Sequence, residues 1–150
     1  MSSVTSDLEK ILQSADAGSV GEVIREHVGS MFGDDAFSSY VRQLIREHGT
    51  SQLDVFRRAD FSEKYGYAVL SGEKHTIQRD YILRICLAGK FTLDETQRVL
   101  KLYGVSPLYA RVPRDAMLIS AISSGVYDIE KVCTLLAENG FEPLHSSRVP

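Results

Sequence analysis

The sequence predicts an all-α single domain of about eight helices, and three observations carry that prediction. Apolar residues recur at spacings of three and four along most of the chain, the period of one helix face. Ser, Thr or Asp stands ahead of many of these runs and Gly behind most of them, the residue types that close helices at their two ends. No stretch alternates apolar and polar residues for long enough to make a strand. The chain has 150 residues, 43% of them hydrophobic, which suits one globular unit burying about two-thirds of its unfolded surface.

The N-terminal region begins with five small or polar residues. Ser6-Asp7-Leu8-Glu9 is a capping box that opens a helix with Leu8, Ile11 and Leu12 on its apolar face, and Ala15 to Gly18 break it. Ser19-Val20-Gly21-Glu22 repeats the pattern ahead of a stripe of Val20, Val23, Ile24 and Val28. Each stripe needs cover, from the core or from a second copy of the chain. His27 reads as a solvated helix residue. After a turn over Phe32 to Asp35, a helix from Phe37 to His48 turns Tyr40, Val41, Leu44 and Ile45 inward, and Gly49 stops it.

The stretch from Ser51 to Gly72 organises the rest. It reads as two short helices, about 51–59 and 62–71, around a tight turn at Asp60-Phe61. Ser51 and Ser62 are the N-caps, and Gly72 takes the left-handed conformation that ends the second helix. Val55, Phe56 and Ala59 share a face of the first helix; Val69 and Leu70 offer apolar groups on the second. Helices this short are marginal alone, so the pair must dock on others.

Beyond Gly72 and a polar loop, a helix from about Gln78 to Ala88 carries Ile82, Leu83, Ile85, Cys86 and Leu87. Thr92-Leu93-Asp94-Glu95 is a third capping box, opening a helix with Leu93, Val99, Leu100 and Leu102 that Gly104 ends. Pro107-Leu108-Tyr109 makes a turn, and Arg114 to Ser124 is an apolar helix stopped by Gly125. Asp128 caps a last helix with Ile129, Val132, Cys133, Leu135 and Leu136 inside and Gly140 at its end. The tail from Glu142 to Pro150 is expected to be loose. Arg114-Asp115 echoes Arg79-Asp80; the expectation is two first-turn acids at helix N-termini, not a repeat. Cys86 and Cys133 fall in apolar patterns with no second cysteine nearby, which predicts buried, reduced thiols.

The net charge of −3 argues mildly against a nucleic-acid partner, but its distribution does not. Residues 1–35 hold 2 Lys/Arg against 7 Asp/Glu, residues 36–114 hold 13 against 8, and residues 115–150 hold 2 against 5. A basic middle between acidic ends suits one DNA-facing surface on an acidic body. No apolar run approaches the roughly 18 residues of a membrane span and no signal-peptide core opens the chain, so the expectation is a cytoplasmic protein. No Gly-rich phosphate loop, metal-spaced His/Cys set or nucleophile–base pair is visible, so neither an enzyme nor a cofactor is expected.

The span from Ser51-Gln52 to Gly72, with its polar loop and apolar helix, resembles the helix-turn-helix of the phage-repressor or xenobiotic-response-element (XRE) family. Tyr65-Gly66-Tyr67, Ser71-Gly72, Arg79-Asp80, Leu93-Asp94-Glu95-Thr96-Gln97, Pro107-Leu108-Tyr109 and Arg114-Asp115 are similar to a bacterial subgroup whose repressor-like domain continues into extra C-terminal helices. The resemblance covers roughly residues 36–143. It implies a lambda-repressor-like five-helix core over 36–104 and a helical extension over 105–143 packed on the same core; the capping boxes and stripes ahead of it give a further helical extension over 1–35, and 144–150 is a tail. It also implies a transcriptional regulator that binds double-stranded DNA sequence-specifically; because one short recognition helix reads few bases, a homodimer is expected, with the apolar stripes of the extra helices as its surface.

Carried over position by position, the resemblance makes Ser62, Glu63, Lys64, Tyr67 and the neighbouring Ala68 groove-facing, with Gln52 against the backbone or a flanking base. Lys64 has the charge and reach for guanine O6/N7, and Glu63 can accept from cytosine N4. Lys74, His75, Thr76 and Arg79, with the N–H groups of the following helix start, form an expected phosphate clamp. Of Tyr65 and Tyr67, one is expected to pack instead of reading bases. The chain departs from the family at several points. Phe56 stands where a small residue is usual and Gly66 where a branched aliphatic is, which predicts that Phe56 fills the space Gly66 leaves. Ile45 and Leu70 replace an arginine–glutamate pair, and Asp60 stands in a position often held by glycine. The loop after Gly72 is one residue longer and lacks a proline. The acidic total, Glu63 and the tyrosine pair motivate an alternative: a protein-interaction or adaptor module on a repressor-like scaffold that has lost DNA binding.

Overall fold

Among residues 34–148, the part of the chain described by the computed structural model, seven helices are present and no strand. They are α1 (Asp34–Glu47), α2 (Gln52–Arg58), α3 (Glu63–Ser71), α4 (Arg79–Ala88), α5 (Leu93–Tyr103), α6 (Pro113–Ser123) and α7 (Ile129–Glu138). The fold is all-α. The helices expected after the capping boxes at Ser6 and Ser19 lie outside the described residues.

The helix ends follow from their caps. The Ser51 hydroxyl accepts from the Asp54 N–H and that of Ser62 from the Tyr65 N–H, each at 3.1 Å. Thr92 and Glu95 make both halves of a capping box, at 3.2 and 2.9 Å. Asp128 accepts from the first-turn N–H groups of Glu130 and Lys131. Asp60, between α2 and α3, adopts the left-handed conformation at φ 62°. Aspartate tolerates it better than most residues with a Cβ.

All seven helices share one core. Helix α4 lies at its centre: eight of its ten residues are buried, and it packs against α2, α5 and α7. Helix α1 covers α2, α3 and α5, and α6 rests on α5 and α7. Ile45 and Leu70 are both buried where α1 meets α3, so that junction is apolar. Cys86 is fully buried, and burial pushes its thiol up to about 12; Cys133 is also a free thiol but only half-buried.

The likeness of Arg79-Asp80 to Arg114-Asp115 is a repeat, contrary to the sequence expectation. Arg79 donates two bonds to Asp115, at 2.6 and 3.0 Å, and its Nη1 also faces the carbonyls of Ser106 and Pro107 at 3.4 Å. Arg114 donates two bonds to Asp80, at 2.9 and 3.1 Å, and further bonds to the carbonyls of Glu142 and Pro143. The Tyr109 N–H donates to Asp115 and the His145 N–H to Asp80. Every bond of one set has its counterpart in the other, offset by 35 residues at the helix starts and 36 at the tails. A contact in which each partner does to the other what is done to it is the signature of a two-fold relation.

The hairpins α4–α5 and α6–α7 are therefore two copies of one unit. Turn residues correspond (Lys90 and Gly125, both left-handed), and so do buried closing leucines (Leu108 and Leu144). The offset grows by one between Val126 and Asp128, so Tyr127 is the inserted residue; its hydroxyl donates to the Phe91 carbonyl in the other hairpin's turn. Asp80 and Asp115 do sit in first turns, as expected. What the spacing of residues did not reveal is that each is the other hairpin's arginine seat.

The tail is not loose through Arg148. Leu144 is buried, and Arg84, itself buried within α4, donates to the carbonyls of His145 (2.7 Å) and Leu144 (2.8 Å) and faces that of Ala59 (3.4 Å). Further on, the Ser146 hydroxyl donates to Asp60 and Arg148 donates to the Phe61 carbonyl. The tail thus runs from the second hairpin to the turn between α2 and α3. Carbonyl acceptors for a buried guanidinium can come only from a chain segment laid against it.

Candidate nucleic-acid interface

The α2–α3 pair is set by an aromatic fit. A Cβ on Gly66 would meet the Phe56 ring at 2.5 Å, so the ring occupies the volume a side chain there would need. Tyr67 then stands edge-on to Phe56, centroids 4.9 Å apart, and remains 41% exposed. Tyr65 turns the other way, onto Phe61 and Tyr81. Burial raises its phenol above the ordinary tyrosine value, against the opposing hydrogen bond of Thr76. Of the two tyrosines, Tyr65 packs and Tyr67 faces outward.

The solvent edge of α3 consists of Glu63, Lys64, Tyr67 and Ser71, with Ser62 just ahead of them, while Ala68, expected to face the groove, is buried. The Ser62 hydroxyl is engaged as the helix cap. Gln52 opens α2 and is partly exposed. The residues of the α3–α4 loop are held individually. The Lys74 N–H donates to the Ala68 carbonyl at 3.0 Å, leaving the exposed ammonium to solvent. The His75 ring lies flat on Tyr103 at 4.4 Å. The Thr76 N–H donates to the Tyr103 hydroxyl at 2.6 Å, while its own hydroxyl accepts from the Gln78 N–H. Gln78, the N-cap of α4, makes no side-chain cap bond to that helix.

Arg79 stands apart from the other residues of the expected clamp. Its guanidinium is engaged by Asp115 and two carbonyls, so it positions the start of α4 and the 106–107 segment. Two features lay outside the sequence reading. Ile77, at the tip of the loop, is 91% exposed. Arg148 reaches the Phe61 carbonyl at 3.0 Å and lies 3.5 Å from Asp60, one and two residues before Ser62. Nothing local announces that contact, because it joins residues 87 apart.

Charges on this face are interleaved: Glu63 precedes Lys64, and Glu73 precedes Lys74. No helix among the described residues is long and apolar enough to cross a membrane. Compared with known proteins, the chain matches no family model, no curated protein and no solved structure.

Proposed function

We propose that the chain is a sequence-specific DNA-binding transcriptional regulator of the phage-repressor (XRE) type, with α2–α3 as its helix-turn-helix and α3 entering the major groove. The observation that supports it most is the exposed edge of α3, Glu63, Lys64 and Tyr67, beside an outward Lys74 on a tightly held loop. In this reading Lys64 and Glu63 meet base edges, while Gln52, Lys74, His75 and Thr76 meet the backbone. Arg79 braces the loop from behind. One recognition helix of nine residues reads few bases, so a homodimer on a two-fold operator belongs to the same proposal, as does a cytoplasmic location.

Fluorescence anisotropy of the full chain against genomic fragments, from ~50 to ~200 mM salt, tests it. Specific binding with a steep salt dependence is expected. Lys74→Ala should weaken binding uniformly and flatten the log–log salt slope by about one, while Lys64→Ala should relax specificity by about 1–3 kcal/mol. No binding at the lowest salt would overturn the proposal. The interleaved charges favour a second reading, an adaptor that presents Tyr67 and Ile77 to a protein partner.

A further inference from the structure

The turns of the two hairpins meet, and between them and the end of α2 lies an open groove of about 850 Å³. Its apolar lining includes Leu87, Val126 and Ile129; its positive charge comes from Arg58, Lys90 and Lys131. None of these three cations has a carboxylate within ion-pair distance among the described residues. Arg58 is held by neutral acceptors instead: its Nε donates to the Ala88 carbonyl at 3.0 Å and its Nη2 to the Thr50 hydroxyl at 2.8 Å. The guanidinium is therefore fixed without a carboxylate paired to it. Two acids share the lining. Asp128 is engaged in capping α7, and Glu130 lies in that helix's first turn.

The groove is also where the hairpins depart from their two-fold likeness. It is lined by the inserted Tyr127, and by Lys90 where the sister hairpin has Gly125. Lys90 holds φ at 58°, a conformation that strains a residue with a Cβ and that glycine adopts freely.

We propose that this groove binds a small amphipathic anion, a ligand with an apolar ring or acyl body and one terminal carboxylate, sulfonate or phosphate. The body lies along the partly exposed Val126 and Ile129, and the anionic end meets Lys90, Lys131 and Arg58. Volume, apolar lining and a few convergent polar groups are the ordinary attributes of a small-molecule site. Arg58 belongs to α2 and the remaining contacts to the two hairpins, so such a ligand ties the helical pair to the C-terminal half. Binding in this groove is independent of any contact of α3 with DNA.

The test uses two dyes on the full chain: anilinonaphthalene sulfonate and the uncharged phenylnaphthylamine, which has the same rings without the sulfonate. The anionic dye should saturate at one site per chain and bind more tightly than the neutral one. In the double variant Lys90→Gly, Lys131→Ala its affinity should fall about fivefold or more, the worth of two exposed charge contacts. Melting temperature should hold, because glycine relieves the strained φ. Equal affinity for the two dyes, or an anionic dye that binds the double variant as it binds the parent, would overturn the proposal.

Discussion

Phe56 and Gly66 fill a single volume, with the ring of one 2.5 Å from where the other's Cβ would be. Neither can change size alone. Gly66→Val should destabilise the protein by about 1–3 kcal/mol through overpacking, and Phe56→Ala by about 3–5 kcal/mol through the cavity it opens. Combining the two should recover part of the loss. A double-mutant cycle in urea measures the coupling, and strictly additive effects would show that the fit is not specific.

The crossed pairs Arg79–Asp115 and Arg114–Asp80 make equivalent demands on their carboxylates, which are 3% and 5% exposed against 23% and 19% for the arginines. Asp80→Asn and Asp115→Asn should therefore cost similar amounts, on the order of 3 kcal/mol, since each leaves a guanidinium without its charge partner. Replacing both members of one pair by apolar residues should cost less than either single change. Denaturation midpoints of the three variants decide the matter.

Asp115 and Glu95 set an acid limit. Burial works to raise the Asp115 carboxyl, but the Arg79 guanidinium, the Tyr109 N–H and the charge of Arg114 outweigh it and hold the group below the ordinary aspartate value. In Glu95 the same opposition is settled downward by the Thr92 N–H and His48. A depressed folded-state pKa means that the unfolded chain binds more protons, so stability rises with pH across that window. The stabilisation is complete above the unfolded value, near pH ~4, and is lost as pH falls through the folded values. Urea midpoints should drop below pH ~4, with a shallower slope in Asp115→Asn.

The tail bears weight. Removing residues 144–150 takes away buried Leu144 and leaves Arg84 with only the long contact to Ala59. The melting temperature should fall by about 10 °C or more. Amide hydrogen exchange at Phe61 and Ser62 should accelerate as the α2–α3 turn loses Ser146 and Arg148. A truncated chain that melts with the parent would refute this.

Most of the helices were legible because their signals are local. A capping box such as Thr92 with Glu95 spans four residues, and the glycines at 72, 104, 125 and 140 announce their own left-handed turns. The Phe56–Gly66 exchange was legible too, as a paired departure from the pattern of the family the sequence resembles. The tail was not. Glu142 to Arg148 has the polar composition of a frayed end, and the segment is anchored by Arg84, Asp80 and Asp60, some 60 to 86 residues earlier. The repeat was obscured by the inserted Tyr127, which breaks the register midway. Its two hairpins also share few identical residues, and burial does not always match: Val99, fully buried, corresponds to Leu135, 39% exposed. Of the candidate interface, the sequence identified the α3 edge, but Arg79 looked like any loop cation because its partner lies 36 residues on.

The reciprocal clasps also have a meaning in time. Asp80 leaves the ribosome long before Arg114 and His145, the groups that close around it. Until Leu144 to Arg148 emerge, a nascent chain carries α2 and α3 with a bare carboxylate at the head of the central helix and an unanswered guanidinium one turn on. The first hairpin's tail likewise waits for Asp115. A chain halted before Leu144 therefore lacks the bonds that brace the turn between α2 and α3, and incomplete folding of that kind favours proteolysis.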